Sequence, residues 1–123
     1  MPDKVLIIDD SLTNNVLLES LLQSEGIDST LAYSGKEALK ILKTDKPSLI
    51  LLDIMMPDMD GFTVLEHINK SKSHQDIPVI MITAKDDNES IIRAKNAGVK
   101  DFILKPIDIN KVLESVKKLL TIN

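Results

Sequence analysis

At 123 residues, 43% hydrophobic and 28% charged, the chain suits one folded domain over residues 1–123 with a core that needs no staples. The lack of cysteine excludes disulfides, thiolate metal sites and cysteine nucleophiles. A net charge of −4 with few aromatics counts against direct nucleic-acid binding, and no apolar run approaches the roughly 20 residues of a membrane span.

Val5-Leu6-Ile7-Ile8 is a continuous apolar run ending on Asp9-Asp10, as expected of a strand covered on both faces. From Ser11 to Glu25 the spacing predicts a helix with Leu12, Val16, Leu17, Leu21 and Leu22 as its apolar positions, stopping at Gly26. Asp28 to Tyr33 is a weaker strand. Ser34-Gly35-Lys36-Glu37 has capping-box spacing, in which Ser34 and Glu37 satisfy each other's backbone donors. The helix it opens carries Ala38, Leu39, Ile41 and Leu42 and ends before Pro47.

A third apolar run, Leu49-Ile50-Leu51-Leu52, ends on Asp53, and Met55-Met56-Pro57-Asp58-Met59-Asp60-Gly61 then makes a loop. A helix follows from about Phe62 to Asn69. The fourth run, Val79 to Ile82, ends on Thr83. Asp86, Asp87 or Asn88 caps the next helix, which stops at Gly98. The fifth strand is Lys100 to Leu104, ending on Lys105-Pro106, and a last helix spans about Asp108 to Leu120.

Five βα units in succession imply a doubly wound α/β sandwich with a parallel sheet between two helix layers. The flavodoxin-like strand order 2-1-3-4-5 suits them, with ligands beyond the carboxyl ends of strands one and three. Asp9, Asp10 and Asp53 fall there, and parallel strands bring Thr83 and Lys105 to the same edge. Three carboxylates so close repel unless a cation joins them. Oxygen donors without histidine or cysteine favour magnesium, calcium or manganese. Met55 and Met56 stand where a calcium loop needs oxygens, and few protein ligands plus a phosphoryl partner suit magnesium, with manganese as its substitute. An aspartate can attack phosphorus, and phosphoryl transfer asks chiefly for positioning and charge neutralisation. Each feature alone has an ordinary structural reading: a helix cap at Asp10-Ser11, β-propensity at Thr83, a turn at Lys105-Pro106. Their meeting at one sheet edge does not.

With these residues in this order, the chain resembles the receiver domain of bacterial two-component response regulators, from Lys4 to about Leu120. The resemblance rests on Asp9-Asp10, Asp53, the loop Met56 to Gly61, Thr83-Ala84 and Lys105-Pro106. It implies that Asp53 is the phosphoacceptor, that Asp10 ligates magnesium directly and Asp9 largely through water, and that the Met55 backbone carbonyl is a further ligand. It implies that Thr83 bonds a phosphoryl oxygen, that Lys105 pairs with it, and that the Lys105-Pro106 peptide is cis. Phe102 occupies the family's switch-aromatic position and, without a hydroxyl, switches only by packing. Lys111 and Ser115 replace the Glu and Arg typical of receivers that dimerise ahead of winged-helix DNA-binding domains, which argues against that dimer mode.

Neither His67 nor His74 lies in a kinase-like phosphohistidine box, so a sensor histidine kinase or phosphotransfer protein is implied as donor. The expected protein is a switch rather than an enzyme. It is cytoplasmic, because Met1-Pro2-Asp3-Lys4 leaves no room for a signal peptide, and monomeric or weakly dimeric when phosphorylated. Its output is altered binding of a downstream protein at the face of helix four, strand five and helix five, where Ile91 and Ile92 cannot both face the core. The alternatives are a magnesium-dependent aspartyl-phosphate phosphatase, which wants an Asp-x-Asp where this chain has Asp9-Asp10-Ser11, and an unphosphorylated docking scaffold.

Overall fold

The computed structural model describes residues 4–120, which alternate strand and helix five times. The elements are β1 (Lys4–Ile8), α1 (Leu12–Gln23), β2 (Asp28–Ala32), α2 (Gly35–Leu42), β3 (Leu49–Leu52), α3 (Gly61–Lys70), β4 (Val79–Thr83), α4 (Asn88–Asn96), β5 (Asp101–Leu104) and α5 (Ile109–Leu120). The five strands are all parallel, in the order β2-β1-β3-β4-β5. This is the doubly wound (βα)5 sandwich expected from the apolar runs.

Alternate strand residues feed two separate cores, which explains why the runs are continuous rather than alternating. Leu6, Ile8, Ile50, Leu52, Val79 and Met81 point to one side, against α2, α3 and α4. Val5, Ile7, Leu49, Leu51, Ile80 and Ile82 point to the other, against α1 and α5. A leucine or isoleucine buried this completely contributes roughly 2 kcal/mol of transfer free energy, so the sheet is the main source of stability.

The inward face of α1 differs from the expected one. Leu18 and Leu22 are buried together with Asn15, whereas Leu12, Val16 and Leu17 stay 64%, 44% and 39% exposed. The helix is apolar nearly all round, so spacing alone does not select the stripe, and docking on the sheet does. The capping box at α2 also differs. The Ser34 hydroxyl accepts from Glu37 N at 3.0 Å as expected, but the Glu37 carboxylate accepts from Tyr33 N at 2.6 Å, one residue upstream of the N-cap. Gly26 and Gly98 follow α1 and α4 with φ of 75° and 89°, the left-handed conformation that lets the chain leave a helix.

Candidate functional site

Sheet hydrogen bonding runs one residue past three of the strands, at the charged positions. Asp9 N donates to Ala32 O (3.1 Å), Asp53 N to Ile8 O (2.9 Å) and Lys105 N to Thr83 O (2.8 Å). The side chains that leave these positions therefore start from fixed backbone at the carboxyl edge of the sheet.

Asp9 and Asp53 are almost fully buried, at 3% and 5% exposure, and Asp10 is exposed. Their carboxylates and that of Asp10 offer oxygens that all lie within 4.8 Å of one another. The Lys105 ammonium bridges the two buried acids, donating to Asp9 Oδ2 at 2.9 Å and Asp53 Oδ2 at 3.0 Å. Burial by itself pulls the Lys105 pKa down, but the hydrogen bonds it donates to Asp9 and Asp53, with the attraction of their charges, outweigh it and hold the pKa above its ordinary value of 10.5. The other carboxylate oxygens are held by backbone: Asp9 Oδ1 accepts from Ser11 N (2.9 Å) and Asp53 Oδ1 from Met55 N (3.3 Å).

One ammonium offsets one of three carboxylates, which leaves the cluster with surplus negative charge. The donor set is all oxygen, so it fits a hard divalent cation of the magnesium or manganese type better than zinc.

Two supports were not evident in the sequence. Asn15 is fully buried and donates through Nδ2 to Asp9 O (2.8 Å) and Ala32 O (3.3 Å), clamping β1 to β2 directly beneath the acids. Its place three and seven residues before Leu18 and Leu22 is the one signal that could have marked it. Gly61 N donates to Ile54 O at 2.8 Å, and a Cβ on Gly61 would run into the Asp53 carbonyl oxygen and lie 2.8 Å from Ile54 Cα. The start of α3 therefore packs against the backbone of Asp53.

In the same loop, Asp58 reaches back to α2, accepting from Lys36 N (3.0 Å) and Gly35 N (3.2 Å). The Lys36 bond, with a smaller contribution from Gly35, lowers the Asp58 pKa below its ordinary 3.8. Thr83 is fully buried on the strand beside β3, and its hydroxyl accepts from Lys85 N at 3.2 Å. Met55 is exposed, and Lys85 pairs with Asp87 at 3.2 Å. Phe102 is half-buried against the core beneath α2–α4, and Lys105-Pro106 is cis. Asp101 accepts from the Ser115 hydroxyl at 2.7 Å and so ties β5 to α5.

A family model described as "Response regulator receiver domain" matches residues 5–117, nearly the whole chain. This chain is a response regulator receiver domain of two-component systems. It is 39% identical over 119 residues to the response regulator PleD of Caulobacter vibrioides, covering 97% of this chain and 26% of PleD. It is 31% identical over 117 residues to protein PilH of Pseudomonas aeruginosa, covering 95% of this chain and 97% of PilH. The receiver thus spans about a quarter of one relative and nearly all of another. Among solved structures, a CheY-like receiver domain protein from Methanospirillum hungatei superposes with a TM-score of 0.90 at 30% identity, covering 97% of this chain and 94% of that one. The signal receiver domain of a histidine kinase from Syntrophus aciditrophicus gives 0.89 at 32%, covering 97% and 90%. No helix among the described residues of the receiver is long and apolar enough to cross a membrane.

Proposed function

We propose that this receiver, acting as one domain over residues 1–123, is a phosphoacceptor switch in which Asp53 takes a phosphoryl group from a phosphohistidine of a partner kinase or phosphotransfer protein. The observation that carries the reading is the Asp53 carboxylate, anchored at the end of β3 and held 3.0 Å from the Lys105 ammonium inside a cluster of three acids. A carboxylate oxygen of Asp53 attacks phosphorus, the P–N bond breaks, and the imidazole leaves with its electron pair.

Lys105 needs little movement to follow the charge from the carboxylate to the phosphoryl oxygens. The Thr83 hydroxyl, an acceptor for Lys85 N, keeps its own proton to donate to the new group. Asp9, Asp10, Asp53 and the Met55 carbonyl would hold a magnesium ion, which neutralises charge as an anionic donor meets the acids. Burial of Asp9 and Asp53 keeps water from competing for these contacts.

Leu12 and Val16, exposed just beyond Asp10 and Ser11, give the donor an apolar surface next to the acids. Inward movement of Thr83 opens space for the half-buried Phe102 ring, which alters the surface of α4, β5 and α5 for a downstream protein. On α4, Ile92 is 57% exposed and Ile91 half-buried, so Ile92 is the side chain available there.

The test is direct. Incubated with magnesium and acetyl phosphate, the wild type is expected to gain the mass of one phosphoryl group by intact mass spectrometry, and Asp53→Ala none. Undiminished phosphorylation of Asp53→Ala would move the acceptor elsewhere and end the reading.

A further inference from the structure

A groove of about 580 Å³ lies between α2 and α3, on the opposite side of the sheet from α1 and α5. Leu39, half-buried, forms its apolar floor with the edges of the buried Leu42 and Ile68, and Lys36 and Lys40 of α2 and Lys43 just after it line one side. His67 and His74 complete it, so every ionisable side chain that lines it is a lysine or histidine, in a chain of net charge −4. None of the three lysines forms a salt bridge among the described residues. Acids near them in sequence or space have other hydrogen-bond partners: Glu37 accepts from Tyr33 N, Asp58 from the backbone N of Gly35 and of Lys36, and Asp45 from the Thr44 hydroxyl. The groove therefore offers lysines without a salt bridge beside an apolar floor whose accessible part is mainly Leu39.

Lys36, Lys40 and Lys43 stand at i, i+4 and i+7, on one helical face and spread over roughly 10 Å along the axis. An apolar floor with a cationic edge of that length suits an amphipathic helix laid into the groove. A small anion would leave the floor uncovered. A second copy of this chain is also a poor occupant, because each of the five helices among the described residues carries a single acidic residue: Glu19, Glu37, Glu66, Glu89 and Glu114.

We propose that the α2–α3 groove docks an acidic amphipathic helix of a partner protein. Its apolar side chains at i, i+3 or i+4, and i+7 rest on Leu39, Leu42 and Ile68, and its carboxylates face Lys36, Lys40 and Lys43. This docking requires neither phosphorylation nor metal, and it uses a different surface from α4, β5 and α5.

The probe is a synthetic helical peptide of roughly 15 residues, with leucines at those positions and flanking glutamates, titrated into the isotopically labelled chain. Amide shifts are expected in residues 36–43 and 67–74, with an affinity that falls as salt is added. Lys36→Glu/Lys40→Glu/Lys43→Glu is expected to weaken binding by roughly tenfold or more, and the same peptide with lysines for glutamates should not bind. The triple glutamine variant, which removes charge without reversing it, should also weaken binding, and unchanged thermal unfolding of either variant identifies the loss as one of contact. Equal binding of the lysine peptide, unchanged binding in both triple variants, or shifts confined to α1 or to α4, β5 and α5 would overturn the proposal. So would self-association of the chain that the triple substitution abolishes, since that would put a second copy in the groove.

Discussion

Replacing Lys105 by methionine is expected to destabilise the folded domain by about 3 kcal/mol at neutral pH. The methionine keeps most of the length and apolar stem of the lysine. What it removes is the ammonium between Asp9 Oδ2 and Asp53 Oδ2, two acids that are 3% and 5% exposed. Left without that partner they are buried like charges, and burial makes such repulsion costly. Chemical unfolding of wild type and variant measures the difference.

Two further readouts tie the loss to charge. Magnesium is expected to restore part of the stability of Lys105→Met, because it replaces the missing positive charge among the same oxygens. The pH dependence is set by the direction of the Lys105 shift. Its folded pKa is raised, so its stabilisation is fully present below 10.5, its unfolded value, and is lost as pH rises through the higher folded value. The gap attributable to Lys105 should therefore persist through neutral pH and close only in strongly alkaline solution. A Lys105→Met protein as stable as the wild type at pH 7 would mean that the acids turn outward to water, and the bridge would then have little weight.

Gly61→Ala should act on the same acid from behind. The added methyl meets the Asp53 carbonyl oxygen, Ile54 Cα at 2.8 Å and Asp53 C at 3.0 Å, all backbone atoms that no rotamer change can move. Gly61 N is also bonded to Ile54 O at 2.8 Å, so α3 cannot back away without losing that bond. Overpacking of this kind costs roughly 1–3 kcal/mol, or about 4–12 °C in melting temperature for a domain of this size. Phosphoryl uptake from acetyl phosphate should fall as well, because Asp53 itself is displaced. Gly98→Ala is the control. Its φ of 89° disfavours any side chain, but nothing lies within 4 Å of the added carbon, so stability should fall while uptake per folded molecule holds. Equal uptake by Gly61→Ala and wild type would show that the loop absorbs the methyl without moving the acid.

The sheet was legible because both of its faces are covered, which writes each inner strand as an unbroken apolar run ending on a polar residue. Asp9, Asp10, Asp53, Thr83 and Lys105 could be assigned to one edge from parallelism alone, and the structure brings Asp9, Asp10, Asp53 and Lys105 into one cluster. The face of α1 was not legible, since Leu12, Val16 and Leu17 are as apolar as Leu18 and Leu22, and no periodicity separates them. Asn15 was missed for a related reason: a buried amide is recognisable only once Asp9 O and Ala32 O are seen on either side of it. The bond from Asp58 to the start of α2 joins residues 22 and 23 positions apart and leaves no local pattern. Gly61 reads in the sequence as a loop glycine, and its packing against Asp53 emerges only from the fold.

The division of the interior by the sheet has an evolutionary consequence. Leu18, Leu22, Val112 and Val116 share no contacts with the core that holds Leu65, Ile68 and Ala94, and the strands serve each half with different side chains. Effects of substitutions in the two halves should combine independently. The interiors of the α1–α5 layer and the α2–α4 layer can therefore drift separately, whereas the surface of α4, β5 and α5 draws on both layers and ties them together.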